Sequence, residues 1–386
     1  MTRSEGSLRL GKAIGILLCA AILASHLFSM SRWSEDRGVN DDICYLRQAH
    51  LFQRFGLDGL DTSFARDDDG YFVAKMKKLP TWRDGQGPVC HTAMPETGKL
   101  VLQYPPGTGL VLALFPSGHQ VVPLYAICTL VIFLFAGAAI WLSRSRAQLA
   151  IATAFGFVAI YVMINPVKAS YSIAPTMVLC AAAGWLTARL FAEERQMPRM
   201  LLILVTGFLI GIAVNMRVPN LLLSAGYCIY LLIAFLAARK TPQFLEGALF
   251  AVALVIGMMP TLAANAINAG SPFATTYSAG DVVPPSLDAE TIRSYLGDPQ
   301  SLLILLSAGW TVWIWRRGRS RLGLLLGSGL AINLAFFVTH PIYTQYYVIP
   351  ICALTLWTLL FAQLMPIEAS TRRVASPPPR SSPARP

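Results

Sequence analysis

Charge is what this sequence has least of. Of its 386 residues only 13% are Asp, Glu, Lys or Arg, against about 25% in soluble domains. Hydrophobic residues make up 55%, and the mean hydropathy is +0.54. One soluble core cannot absorb that much apolar chain, so the main solvent is lipid. No glycine-rich phosphate loop follows a strand, so nothing points to a soluble nucleotide-sugar enzyme. The long apolar runs are almost free of ionisable side chains, where transporters and proton pumps usually bury them. Cysteine is scarce in aqueous segments too. Of seven, Cys19, Cys128, Cys180, Cys228 and Cys352 lie within apolar runs and read as small apolar residues. Only Cys44 and Cys90 remain, and they share one segment.

What is present is a series of apolar runs, near residues 11–30, 119–142, 147–165, 172–192, 199–216, 218–237, 243–266, 300–316, 321–338 and 343–365. Each approaches the roughly 20 residues that cross the hydrocarbon core. The sequence therefore predicts an all-α integral membrane protein of about ten transmembrane helices, with residues 1–366 as a single polytopic domain. The first run has the charge order of a signal peptide. It is long for one and lacks a small-x-small cleavage site, so it reads as a retained span. Residues 367–386 (with SPPPRSSPARP) are Pro/Ser-rich and read as a disordered tail.

The net charge of +11 sits in short clusters between the runs, a topology signal rather than a nucleic-acid surface. The clusters are Arg3, Arg9 and Lys12; Arg144 and Arg146; Arg195 and Arg199; Arg239 and Lys240; Arg316, Arg317, Arg319 and Arg321; and Arg372 and Arg373. Alternating spans put all of them on one side, which is cytoplasmic by the positive-inside rule, as are both termini. The segments 31–103, 267–299 and THPIYTQYY then face outward, with short turns near Asn165–Tyr171 and Arg217–Asn220.

The first exported loop opens with VNDDICYLRQAHLFQRFG. Asn40 or Asp41 can cap a helix here. At 100° per residue Arg47, His50 and Arg54 form one stripe, while Tyr45, Leu46, Ala49 and Phe52 cover the other side. That pattern predicts an amphipathic helix on the membrane surface, its basic stripe meeting phosphates. A disulfide between Cys44 and Cys90 is permitted in an oxidising compartment and would stabilise the loop by about 3–4 kcal/mol. Asp67-Asp68-Asp69-Gly70 lacks the alternating spacing of a calcium loop and reads as a solvated turn. Tyr104-Pro105-Pro106-Gly107 breaks the chain and starts an apolar stretch too short to span, predicting an interfacial or re-entrant helix or a kinked start to the second span.

Several segments, in this order, resemble those of the GT-C superfamily of membrane glycosyltransferases. This group includes protein O-mannosyltransferases and bacterial enzymes that decorate lipid A or lipopolysaccharide core. DDICYLRQA resembles the acidic motif of the family's first exported loop. YPPGTGLVLALF resembles its Y/H-P-P segment, and GIAVNMRVPNLLL a mid-chain segment with a basic residue. NAGSPFATTYS resembles a G-x-P-x-x-x-x-Y segment, and YTQYYVIPICAL the tyrosine-rich start of a last span. One departure is His340-Pro341-Ile342-Tyr343, which stands where relatives often carry Arg-Tyr.

The resemblance implies an inverting transfer of a sugar from a polyprenyl-phosphate donor to lipid A, a glycan or a protein, at the periplasmic face of a bacterial inner membrane. Asp41 or Asp42 would take the acceptor proton, with family position pointing to Asp41. Arg217, and behind it Lys168, Arg47 and His50, would stabilise the leaving phosphate. Tyr104, His340, Tyr343 and Tyr346 would line the site. A divalent cation is left open, since two adjacent aspartates are not a complete ligand set. The rival classes are a lipid-sugar flippase or small-molecule transporter, and a catalytically inactive GT-C-like partner subunit.

Overall fold

A computed structural model of the chain describes residues 3–33, 42–79, 83, 85, 87–164, 170–192, 197–277, 284–298, 300–340 and 348–365. The long helices are α1 (Arg3–Met30), α5 (Val121–Leu142), α6 (Arg146–Tyr161), α7 (Ile173–Leu190), α8 (Arg199–Met216), α9 (Ala225–Ala238), α10 (Thr241–Ala269), α12 (Gln300–Arg316), α13 (Ser320–Thr339) and α14 (Val348–Leu364). The loop between α1 and α5 carries α2 (Asp42–Phe55), α3 (Tyr71–Met76), strands β1 (His91–Met94) and β2 (Lys99–Leu102), and α4 (Gly107–Leu112). A late loop carries α11 (Ala289–Gly297). Among the described residues, seven helical segments are long and apolar enough to cross a membrane: Gly6–Met30, α5, α7, α8, Val218–Ala238, α10 and α13. α6 and α14 are shorter apolar helices. The chain is thus an all-α membrane protein. The predicted tail, 367–386, lies outside the described residues.

Close helix packing positions the C-terminal ends of α8 and α10. Where α8 crosses α10, Gly207, Gly211 and Gly257 face the other helix's backbone with no room for a Cβ. Small residues serve this purpose in membranes, where helices associate through packing and hydrogen bonds. Pro260 interrupts α10 and cannot donate to its ladder. Asn215 of α8 fills the break: its Nδ2 donates to Gly257 O at 2.6 Å, and its Oδ1 accepts the Thr261 N–H at 2.9 Å and the Thr261 hydroxyl at 2.7 Å. α8 is thereby fixed just before Arg217.

The loop between α1 and α5 is folded against the C-terminal end of α10. Asn268 Oδ1 accepts the Thr62 N–H at 2.9 Å, and its Nδ2 donates to Leu60 O at 2.8 Å. Lys99 pairs with Asp61 at 3.0 Å and donates to Ile267 O at 3.2 Å. Burial alone would raise the Asp61 pKa, but the Ser63 N–H and the Lys99 ammonium pull it below the usual carboxylate range. β1 and β2 pair antiparallel, with His91 opposite Leu102 and Met94 opposite Lys99. The wheel and motif reading did not include this hairpin.

Candidate functional site

Asp42 is the first residue of α2 and is 1% exposed. Its Oδ1 accepts the Tyr171 N–H at 3.0 Å, which ties the start of α2 to the turn preceding α7. Tyr171 meets Trp33 edge-on at 5.7 Å and Tyr125 at 6.5 Å. The carboxylate therefore sits where the C-terminal end of α1 and the N-terminal ends of α2, α5 and α7 converge.

An aromatic row starts one helical turn further on. Tyr45 stacks on Tyr104 at 5.0 Å, and Tyr104 meets Tyr277 edge-on at 6.3 Å. The Thr276 hydroxyl donates to Gln103 O at 2.7 Å and holds the segment after α10 against the loop between α1 and α5. Tyr277 closes the row but was not among the candidate residues; it is the final tyrosine of NAGSPFATTYS, the signal that could have found it.

α4 links this row to α8. Two glycines let it approach both neighbours: a Cβ on Gly107 would stand 2.6 Å from Asn215 O, and one on Gly109 2.6 Å from the Gln48 side chain. The stretch is thus a short helix wedged between α2 and α8, separate from α5. Arg217 follows α8 in extended backbone and precedes the 3-10 segment Val218–Ser224. Asn220 N–H donates to Arg217 O at 3.0 Å, while its side chain donates to Thr176 Oγ1 of α7 at 3.1 Å. Tyr171 lies two residues before α7, and Thr176 lies in its first turn. The base of α7 therefore anchors both the carboxylate and the arginine junction.

Other expectations are corrected. The basic stripe of α2 is turned onto the protein itself and not presented outward. Arg47 is 1% exposed. Its Nε donates to Asp68 at 3.0 Å, and its terminal nitrogens donate to Thr62 O at 3.1 Å and Ser63 O at 3.0 Å. A guanidinium enclosed by these partners cannot also cradle a substrate phosphate. Burial pulls its pKa below the ordinary value, opposed by Asp68. His50 is stacked under Tyr71 at 4.3 Å. Arg54 pairs with Asp67 at 2.9 Å and with Asp69. The acidic run is therefore no solvated turn at Asp68, which is buried and ion-paired. The basic face is real, but its two arginines bind the loop's own carboxylates and its histidine stacks on Tyr71.

Cys44 and Cys90 are joined by a disulfide, with Cα atoms 6.6 Å apart. His340 caps α13 and stacks on Phe336 at 4.1 Å. Asp41, Lys168, Tyr343 and Tyr346 lie outside the described residues. Among the described residues, no group of three or more His, Cys, Asp or Glu side chains is arranged to hold a metal ion. No family model matches this chain, and no curated protein matches it significantly.

Proposed function

We propose that the chain is an inverting glycosyltransferase of the GT-C type, moving a sugar from a polyprenyl-phosphate donor to a cell-envelope acceptor at the outer face of a bacterial inner membrane. The observation that carries this reading is the buried Asp42 carboxylate, set at the start of α2 beside the tyrosine row and sharing the base of α7 with the Arg217 junction. In this reading the ten helices α1, α5–α10 and α12–α14 are spans, and both termini are cytoplasmic.

The acceptor hydroxyl attacks the anomeric carbon opposite the donor phosphate. The new C–O bond forms as the sugar–phosphate bond breaks, and the hydroxyl proton passes to the Asp41–Asp42 pair. The lipid phosphate leaves with growing negative charge, which Arg217 stabilises. The flat tyrosine faces suit the apolar C–H faces of a sugar ring.

The test is a deletion strain carrying wild type, Asp41→Asn or Asp42→Asn at matched expression, with surface glycolipid masses compared. One sugar mass is restored by wild type, and the variant that fails to restore it names the base. If both variants restore it, the carboxylates are helix caps, and the transporter or partner-subunit readings take precedence. A periplasm-dependent reporter fused after Gly280 is expected to be active, and one after Arg319 silent; the reverse pattern overturns the topology.

A further inference from the structure

The ends of α6, α12, α13 and α14 opposite the loop between α1 and α5 form an open cavity of about 360 Å³ that the sugar-transfer reading does not use. It is lined by Gln148, Trp313, Ile314, Arg317, Arg319 and Gln363. At about 30 Å³ per liquid water, that is room for a group of roughly ten water volumes.

Its wall is cationic. Two helices begin beside it, at Gln148 in the first turn of α6 and Arg319 before α13; two end beside it, at Arg317 after α12 and Gln363 in α14. The partial charges of those helix ends oppose one another. Full charges therefore set the sign, and both charged residues in the lining are arginines. Arg319 Nη1 donates to Ala362 O at 2.7 Å, using one of five guanidinium N–H groups. Arg317 lies over the Trp313 ring at 5.0 Å. Gln148 is fixed as a wall, donating to Gln363 O at 2.9 Å and accepting the Arg144 N–H at 2.9 Å.

A hydrophobic track leads away from it. Leu302, Leu305, Leu306, Val312 and Trp313 on α12 are exposed large hydrophobics. A basic pocket between helix ends, continuous with an apolar helix face, fits a lipid whose phosphate occupies the pocket and whose chains follow the helix. Trp313 has the amphipathic ring that favours headgroup depth.

We propose that this cavity binds the phosphate of an anionic membrane lipid, held between Arg317 and Arg319. The site is independent of the sugar-transfer reading, because its test measures binding alone.

The full chain is reconstituted in phosphatidylcholine nanodiscs, and thermal unfolding is followed with added phosphatidylglycerol or with inorganic phosphate. Phosphatidylglycerol raises the unfolding temperature of wild type. In Arg317→Gln plus Arg319→Gln, half-maximal stabilisation requires at least about tenfold more of that lipid, since a charge-assisted contact is worth about 1.5–3 kcal/mol. Arg144→Gln plus Lys240→Gln, outside the cavity lining, retains the wild-type response. Arg317→Gln alone serves if the double variant does not fold, because Arg317 is exposed. An arginine-dependent gain with inorganic phosphate alone supports the site and assigns it to a soluble phosphate. No gain from either probe, or an equal gain in the arginine variants, overturns the proposal.

Discussion

Arg47 and His91 are hydrogen-bonded inside the loop between α1 and α5, and the bond requires a neutral histidine. Arg47 Nη1 lies 2.8 Å from His91 Nε2, while His91 Nδ1 lies 2.7 Å from Val89 O. The carbonyl can only accept, so Nδ1 carries the proton and Nε2 accepts from the guanidinium. Burial, with Arg47 adding to it, pushes the His91 pKa from its ordinary 6.5 to about 4, against the opposing pull of the Val89 carbonyl and Asp68.

That shift predicts acid sensitivity of the loop. Between 6.5 and about 4 the unfolded loop binds a proton that the folded loop does not. The contribution is therefore fully present above 6.5 and falls as pH drops toward 4. Hydrogen exchange of residues 89–104, corrected for intrinsic rates, is expected to show a lower opening free energy at pH 5 than at pH 7.5. Equal values would refute the neutral-histidine assignment.

The Arg47–Asp68 pair is a structural element, so breaking it should unfold the loop rather than only weaken substrate binding. Asp68→Asn leaves the guanidinium buried without its counter-charge, at a cost of about 3–5 kcal/mol. Arg47→Met with Asp68→Leu should cost less than Asp68→Asn, because no charge is stranded. Thermal unfolding of the three proteins measures this. A Tm unchanged in Asp68→Asn would return Arg47 to the list of phosphate ligands.

The disulfide is expected to hide both thiols. In a variant keeping only Cys44 and Cys90, an impermeant maleimide should label intact cells after reductant and not before. Ready labelling without reductant would show the bond unformed.

Asn215 and Pro260 should couple. Asn215→Ala strands the Gly257 carbonyl and the Thr261 N–H, at about 1–3 kcal/mol for each unsatisfied group. Pro260→Ala should let α10 close its own ladder, so the double variant should lose less than Asn215→Ala alone. Additive losses would mean that Asn215 does not bridge the break.

The long apolar helices were legible because hydropathy reports each span locally. The loop between α1 and α5 was not, because its contacts are distant in sequence. Arg47 finds Asp68 21 residues away and His91 44 away, and no helical wheel shows that a basic face will meet the chain itself. The hairpin of HTAM and KLVL is only four residues on each side, with burial alternating imperfectly, a weak strand signal. At the candidate site, the acidic start of α2 and the Tyr104 break were legible as local motifs. The partnership of Tyr104 with Tyr277 needed the segment after α10 in place.

Sugar transfer itself is tested most directly in detergent micelles, where there is no membrane to transport across. The lipid extract of a deletion strain, holding both donor and acceptor, is incubated with purified wild type or with Asp41→Asn plus Asp42→Asn, the latter checked for its disulfide and Tm. Glycolipid masses are then read. The account predicts one added sugar mass with wild type and a rate lower by about 10²–10⁴-fold in the variant, the usual worth of a general base. No transfer by wild type, or equal transfer by both proteins, would contradict it.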